Sequence, residues 1–193
     1  MSRIFIAALG FLMMAVAPMT LADETCMSPY MAKIVGQEDY VYIWTLGMEG
    51  VGDGEDKLVT VDVNPDSKTY GEVVHSLSVG GRNEAHHSGL TDDRRYLWAS
   101  GLDTSKIFIF DIYTDPAQPR LHREIDDFVA KTGGIVGPHT NYALPGRMLI
   151  TGLSNNRDHG GRTGMAEYTN DGDFITSVWM PTDDNLQGAV KSG

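Results

Sequence analysis

HHSGLTDDRRYLWASGLDTSKIFIFDI, His86 to Ile112, is the stretch that decides the fold. It opens on paired histidines, passes through a half-apolar run and a turn, and reaches an apolar strand. A loop and a second apolar strand follow. The same order returns in HTNYALPGRMLITGLSNN, His139 to Asn156, and continues with GMAEYTNDGDFITSVW, Gly164 to Trp179. A repeat of roughly 50 residues that holds several short strands is the signature of propeller blades. Equivalent positions of successive blades stand around one axis. Imidazoles far apart in sequence can therefore meet there.

Working outward, aromatic and β-branched runs dominate and turn residues punctuate them. A first blade is expected from Tyr40–Leu46, Lys57–Val63 and Glu72–Val79. The loops between them are a glycine- and acid-rich segment, 47–56, and a Pro65-containing segment, 64–71. A second blade uses His87–Leu90, Tyr96–Gly101, Lys106–Ile112 and Arg120–Ile125, with a helical turn at Asp126–Lys131 ended by Gly133 and Gly134. A third uses His139–Ala143, Arg147–Gly152, Gly164–Thr169 and Phe174–Trp179. The third strands correspond: VTVDV, IFIFDI and MAEYT each precede a polar turn. The expected fold class is all-β, an incomplete β-propeller of about three blades. Three blades do not close a ring, and an open edge leaves strand groups unpaired. Residues 23–193 are therefore expected to be the N-terminal part of a longer propeller domain. Association of copies into a homo-oligomer is the alternative route to closure.

The chain has 193 residues and a formal net charge of −11. Such acidity without a basic stripe speaks against nucleic acid and against an anionic membrane surface. At the N-terminus, Arg3 is followed by an almost wholly apolar run, Ile4 to Ala17, and by Thr20-Leu21-Ala22. This reads as a Sec-type signal peptide over residues 1–22, cleaved after Ala22, and implies a periplasmic location with no membrane association after cleavage. Cys26 is the single cysteine, so no intrachain disulfide can form. It reads as a surface thiol.

The repeat-equivalent histidines carry the chemistry. His87 aligns with His139, and His86 stands beside it. Converging imidazoles are the usual way to hold a transition metal such as copper or zinc. The bland reading is that a histidine opening an inner strand is a structural hydrogen-bonder. Neighbours in a regular strand point to opposite faces, so His86 and His87 are not expected to act together unless the strand begins after them. Asn83 and Glu84 precede the pair and could orient an imidazole from behind.

Several motifs together resemble the selenium-binding protein family, also called methanethiol oxidases. They are LVTVDVNPDSKTYGEVVHSL (Leu58–Leu77), NEAHHSGLT (Asn83–Thr91), DPAQPRLHREID (Asp115–Asp126) and GPHTNYALPGRMLITGL (Gly137–Leu153). The resemblance covers about Ser28 to Ala189 and points to the bacterial periplasmic branch. It implies a β-propeller of roughly twice this length. It also implies copper-dependent oxidation of methanethiol, a small thiol, by O2 and water to formaldehyde, hydrogen sulfide and hydrogen peroxide. Carried over by motif, the family's histidines fall on His86, His87 and His139. Its other site residues would lie beyond this chain. Cys26 lacks the CGPGY-like surroundings of the family's selenium-linked cysteine and is not given that role.

Other residues read more plainly. His75 and His122 lie in outer-strand patterns, and His159 lies in a solvated glycine-rich loop. Asp62 and Asp111 recur at matching strand ends and are expected to bond turns. Trp44, Trp98 and Trp179 are expected to fill space between blades. The rival functions are a non-catalytic propeller that binds a metal or selenium species, a lactonase-like hydrolase, and a protein-binding propeller. The lactonase type would need a hard cation held by carboxylates at the axis, where this chain carries histidine.

Overall fold

The computed structural model describes residues 28–34, 36–155 and 162–181. The segment expected to be a signal peptide, Cys26 and His159 lie outside the described residues. Among the described residues, eleven strands and one short helix form three successive antiparallel meanders. The first holds β1 (Tyr40–Thr45), β2 (Lys57–Asp62) and β3 (Val73–Ser78). The second holds β4 (Ala85–Leu90), β5 (Tyr96–Gly101), β6 (Lys106–Asp111) and β7 (Arg120–Ile125). The third holds β8 (Ile135–Leu144), β9 (Arg147–Asn155), β10 (Gly164–Thr169) and β11 (Phe174–Trp179). Strand order is sequential in every sheet, and β4 and β8 lie against each other. This is the β-propeller arrangement, with three blades. Among the described residues no helix is long and apolar enough to cross a membrane.

The middle blade shows why its sequence reads as continuous apolar runs. Every residue of β5 is buried, and so are Ile107–Phe110 of β6. Both faces of this sheet are covered, so both alternating sets must be apolar. One face, with Leu97, Ala99, Phe108 and Phe110, packs on Leu58, Tyr42 and Trp44 of the first blade. The other, with Tyr96, Trp98, Ile107 and Ile109, packs on Met148, Ile150 and Tyr168 of the third. Burying each large side chain contributes about 1.5–3 kcal/mol, so these two layers hold the blades together. Trp44 and Trp98 sit in them as expected, and each indole also donates across the blade boundary. Trp44 Nε1 reaches Ser100 O at 3.0 Å, and Trp98 Nε1 reaches Asn170 O at 3.2 Å.

Asp62 and Asp111 end equivalent strands and hold their turns. Asp62 accepts from the Asn64 amide and from the Ser67 and Thr69 hydroxyls. Asp111 accepts from the Tyr113 and Thr114 amides and the Thr114 hydroxyl. The helical turn runs Phe128–Thr132, starting two residues and ending one residue later than the sequence placed it, and closes on Gly133 at φ 75°.

Tyr40 pairs with Asp62 as Tyr96 pairs with Asp111, so β1 matches β5 and β2 matches β6, in keeping with the expected correspondence of VTVDV with IFIFDI. The first blade thus consists, among the described residues, of second, third and fourth strands. Aromatic and β-branched composition marks a strand, but only its neighbours show its place in a blade.

Candidate metal centre

The site is built by a pair of matching bulges. In the second blade Ala85 stands opposite Gly101 and Ser88 opposite Ala99, so His86 and His87 together face Ser100. In the third blade Pro138 stands opposite Gly152 and Asn141 opposite Ile150, so His139 and Thr140 face Thr151. An extra residue bends the strand and breaks its alternation. That is why the expected opposition of His86 and His87 fails, and the two rings meet with centroids 4.5 Å apart. The register also makes His86, not His87, the equivalent of His139; His87 matches Thr140. The sequence alignment slipped because the turn after β4 is longer than the turn after β8.

All three imidazoles converge. Their ligand-type nitrogens lie within 4.8 Å of one another. Nε2 of His86 and Nε2 of His139 are 3.1 Å apart, and the His87 and His139 ring centroids are 4.2 Å apart. His86 and His87 are exposed and His139 is half-buried. Partial burial, with His86 beside it, holds the His87 imidazole below its ordinary pKa. Burial, then His87 and His86, does the same for His139. Both rings are therefore neutral at pH 7, with lone pairs free. His139 Nδ1 lies 3.3 Å from Thr140 Oγ1, which leaves Nε2 to face the cluster.

A polar bridge beneath the rings fixes β4 against β8. Asn141 Nδ2 donates to His87 O at 3.2 Å and to Ser100 Oγ at 3.0 Å, with Asn141 and Ser100 both buried. Gly89 permits this approach, since a Cβ there would stand 2.3 Å from Asn141 O. Sequence reading missed Asn141, Ser100 and Gly89. Their signal was a buried polar residue inside each apolar run.

The other candidates fall elsewhere. The Asn83 side chain donates to Gly80 O and Gly81 O and accepts from the Thr104 hydroxyl, so it braces the loop before β4. The Asp103 carboxyl, hydrogen-bonded to Glu84, and partial burial raise the Glu84 pKa. Among the described residues no hydrogen bond joins Asn83 or Glu84 to an imidazole. His75 lies on β3 opposite Thr60. His122 stacks on Tyr96, with Nε2 3.7 Å from Asp171. Neither is near the cluster.

The donor set fits a transition metal. Two nitrogens each about 2.0–2.1 Å from one ion stand roughly 3.0–3.4 Å apart at near-tetrahedral angles, which matches the His86–His139 separation of 3.1 Å. Three imidazoles, with no carboxylate in the cluster among the described residues, suit copper or zinc rather than calcium or magnesium.

Comparison with known proteins gives a consistent result. The family model of the 56 kDa selenium-binding proteins matches residues 20–187. A methanethiol oxidase of Ruegeria pomeroyi is 60% identical over 96% of this chain and 43% of its own length. One from a Hyphomicrobium species is 59% identical over 94% of this chain and 41% of its own length. Selenium-binding protein 2 of Arabidopsis thaliana is 33% identical over 79% of this chain. The X-ray structure of a hypothetical selenium-binding protein from Sulfolobus tokodaii superposes with a TM-score of 0.66 at 27% identity, over 74% of this chain and 34% of that one. The chain spans about two fifths of the length of the first two relatives. On the family match over most of its length, the chain belongs to the 56 kDa selenium-binding protein family, alongside proteins named methanethiol oxidase.

Proposed function

We propose that this chain supplies the copper-holding part of an exported enzyme that oxidises methanethiol. The reaction converts methanethiol, O2 and water to formaldehyde, hydrogen sulfide and hydrogen peroxide. The observation that carries this reading is the convergence of His86 and His87, near the start of β4, with His139, midway along β8. The names and 60% identity of the relatives support the thiol as substrate.

Copper, when bound, supplies a soft acid for the thiolate and a redox couple between sulfur and O2. The chain's own residues do the rest. The three imidazoles converge on one point, and burial and mutual proximity keep His87 and His139 unprotonated. Thr140 and the Asn141–Ser100 bridge hold the rings in place before any ligand arrives. Such preorganisation avoids a reorganisation cost on binding. The exposed faces of His86 and His87 leave the point open to a small thiol.

Export rests on residues 1–22 as a Sec-type signal, with the chain acquiring copper in the periplasm. The test is O2 uptake on methanethiol by this chain carried on a full-length family polypeptide and loaded with copper. The expected result is uptake with peroxide formed one for one, abolished by His87→Ala with His139→Ala. A protein that retains copper but takes up no O2 would instead be a metal carrier, and the enzyme reading would fall.

A further inference from the structure

Two residues remote in sequence from the imidazoles hold the segments that lead to them. Asp56 stands immediately before β2, and Ser105 immediately before β6, the equivalent strand of the next blade. Both are buried. Each side chain reaches the blade that follows and accepts from a backbone amide there. Asp56 takes the Asn83 amide at 2.9 Å, and Ser105 takes the Gly137 amide at 3.0 Å. Asn83 lies three residues before His86, and Gly137 lies two before His139. Thr163, at the same place before β10, instead donates to Gly152 O and Ser154 O of its own blade.

Between each of these clamps and the imidazoles the chain makes the same bend. Glu84 and Gly137 each stand two residues ahead of the first imidazole of their strand, with φ 59° and 65°. This is the left-handed region, which an L side chain enters only where its surroundings hold it. At Glu84 they do. Leu102 N donates to Glu84 O at 2.9 Å and Asp103 N to Asn83 O at 3.2 Å, while Asp56 takes the Asn83 amide from the other side. At the second bend glycine meets the conformation without strain, and Ser105 supplies the anchor. Both bends lead directly into the bulges that turn the three rings together.

We propose that Asp56 and Ser105 are positioning residues of the imidazole centre, each fixing from one blade the bend that delivers the imidazoles of the next. Loss of either acceptor leaves a buried amide unpaired, and the segment must shift for that amide to reach water. A small shift matters, because metal sites hold ligand distances to about 0.2 Å. The role rests on reading the three imidazoles as a copper centre. It does not depend on the thiol or on its oxidation.

Ser105→Gly is the first test. Ser105 has φ 54°, which glycine adopts more readily than serine, so the backbone keeps its shape and only the acceptor is lost. A residue that merely shaped its own turn would be replaced by glycine without effect. Asp56→Asn is the second. Asp56 holds the Gly47 and Asn83 amides on separate carboxylate oxygens, and a carboxamide offers one oxygen. Asp111→Asn, which disturbs a turn at the far end of β6, is the control. In the metal-free 193-residue chain, the Gly137 amide of Ser105→Gly should exchange faster by roughly tenfold or more. The imidazole 1H–15N resonances should shift in both variants. Chelator competition should show copper affinity lowered by about 10–100-fold in both. Asp111→Asn should lower the melting temperature and leave the imidazole resonances and copper affinity as in the parent. A Gly137 amide still protected in Ser105→Gly overturns the proposal. So do imidazole resonances and copper affinity equal to the parent's in both variants. A parent chain that binds no copper sinks the copper reading instead, and the metal-free imidazole resonances then decide the positioning role.

Discussion

Gly89→Ala tests whether the approach of β4 to β8 is what assembles the imidazoles. The new Cβ would stand 2.3 Å from Asn141 O and 3.1 Å from Asn141 Cβ. Ordinary contact begins at about 3.4 Å, so the strands must part by about 1 Å. The obstructing atom is backbone, which no side-chain rotation can clear. Overpacking of this kind costs roughly 1–3 kcal/mol. Parting also stretches the 3.2 Å bond from Asn141 to His87 O, worth about 1 kcal/mol. The expected loss of stability is therefore roughly 2–4 kcal/mol. Metal sites tolerate ligand displacements of only about 0.2 Å, so copper affinity should fall by about 10–100-fold, the range seen when supporting residues are lost. Urea melts give the first number and competition with a copper chelator the second. Leu58→Ala, a core truncation between the first and second blades, serves as the control. It should cost comparable stability and leave copper affinity unchanged. A Gly89→Ala protein that melts like the parent and holds copper as tightly would refute the reasoning.

Other outcomes follow from the same geometry. Asn141→Ala strands the Ser100 hydroxyl and His87 O. It should cost about 1–3 kcal/mol in urea melts and weaken copper binding in a chelator competition. His87 and His139 have lowered pKa values, so protons should compete with copper only below the ordinary imidazole value of about 6.5. A chelator titration should show affinity flat from pH 8 to about 6.5 and falling steeply only on further acidification. For Asp62, the hydrogen bonds from Ser67 and Thr69 lower the folded pKa. Its contribution should be complete above the unfolded value of about 3.9 and vanish as pH drops through the folded one. Asp62→Asn should therefore destabilise the chain at pH 7 and converge with the parent near pH 2.

The strands were legible because their composition and the turn chemistry between them agree; β5, β7, β10 and β11 fall where the sequence placed them. The histidines were legible because a repeat points to an axis. The bulges were not, since a bulge is a property of register between two strands, and neither strand alone records it. That hid both the shared direction of His86 and His87 and the equivalence of His86 with His139. Asn141 and Ser100 were passed over because hydrophobic patterning treats a polar residue in a strand as outward-facing, whereas here two such residues satisfy each other inside.

Electron paramagnetic resonance of the copper(II)-loaded chain tests the central claim most directly. The account expects one copper per chain with hyperfine structure from imidazole nitrogen. That signal should change on His86→Ala, on His87→Ala and on His139→Ala, each with loss of affinity. Copper bound at the same stoichiometry and with the same spectrum in all three variants would contradict it, and would remove the three-imidazole centre from the account.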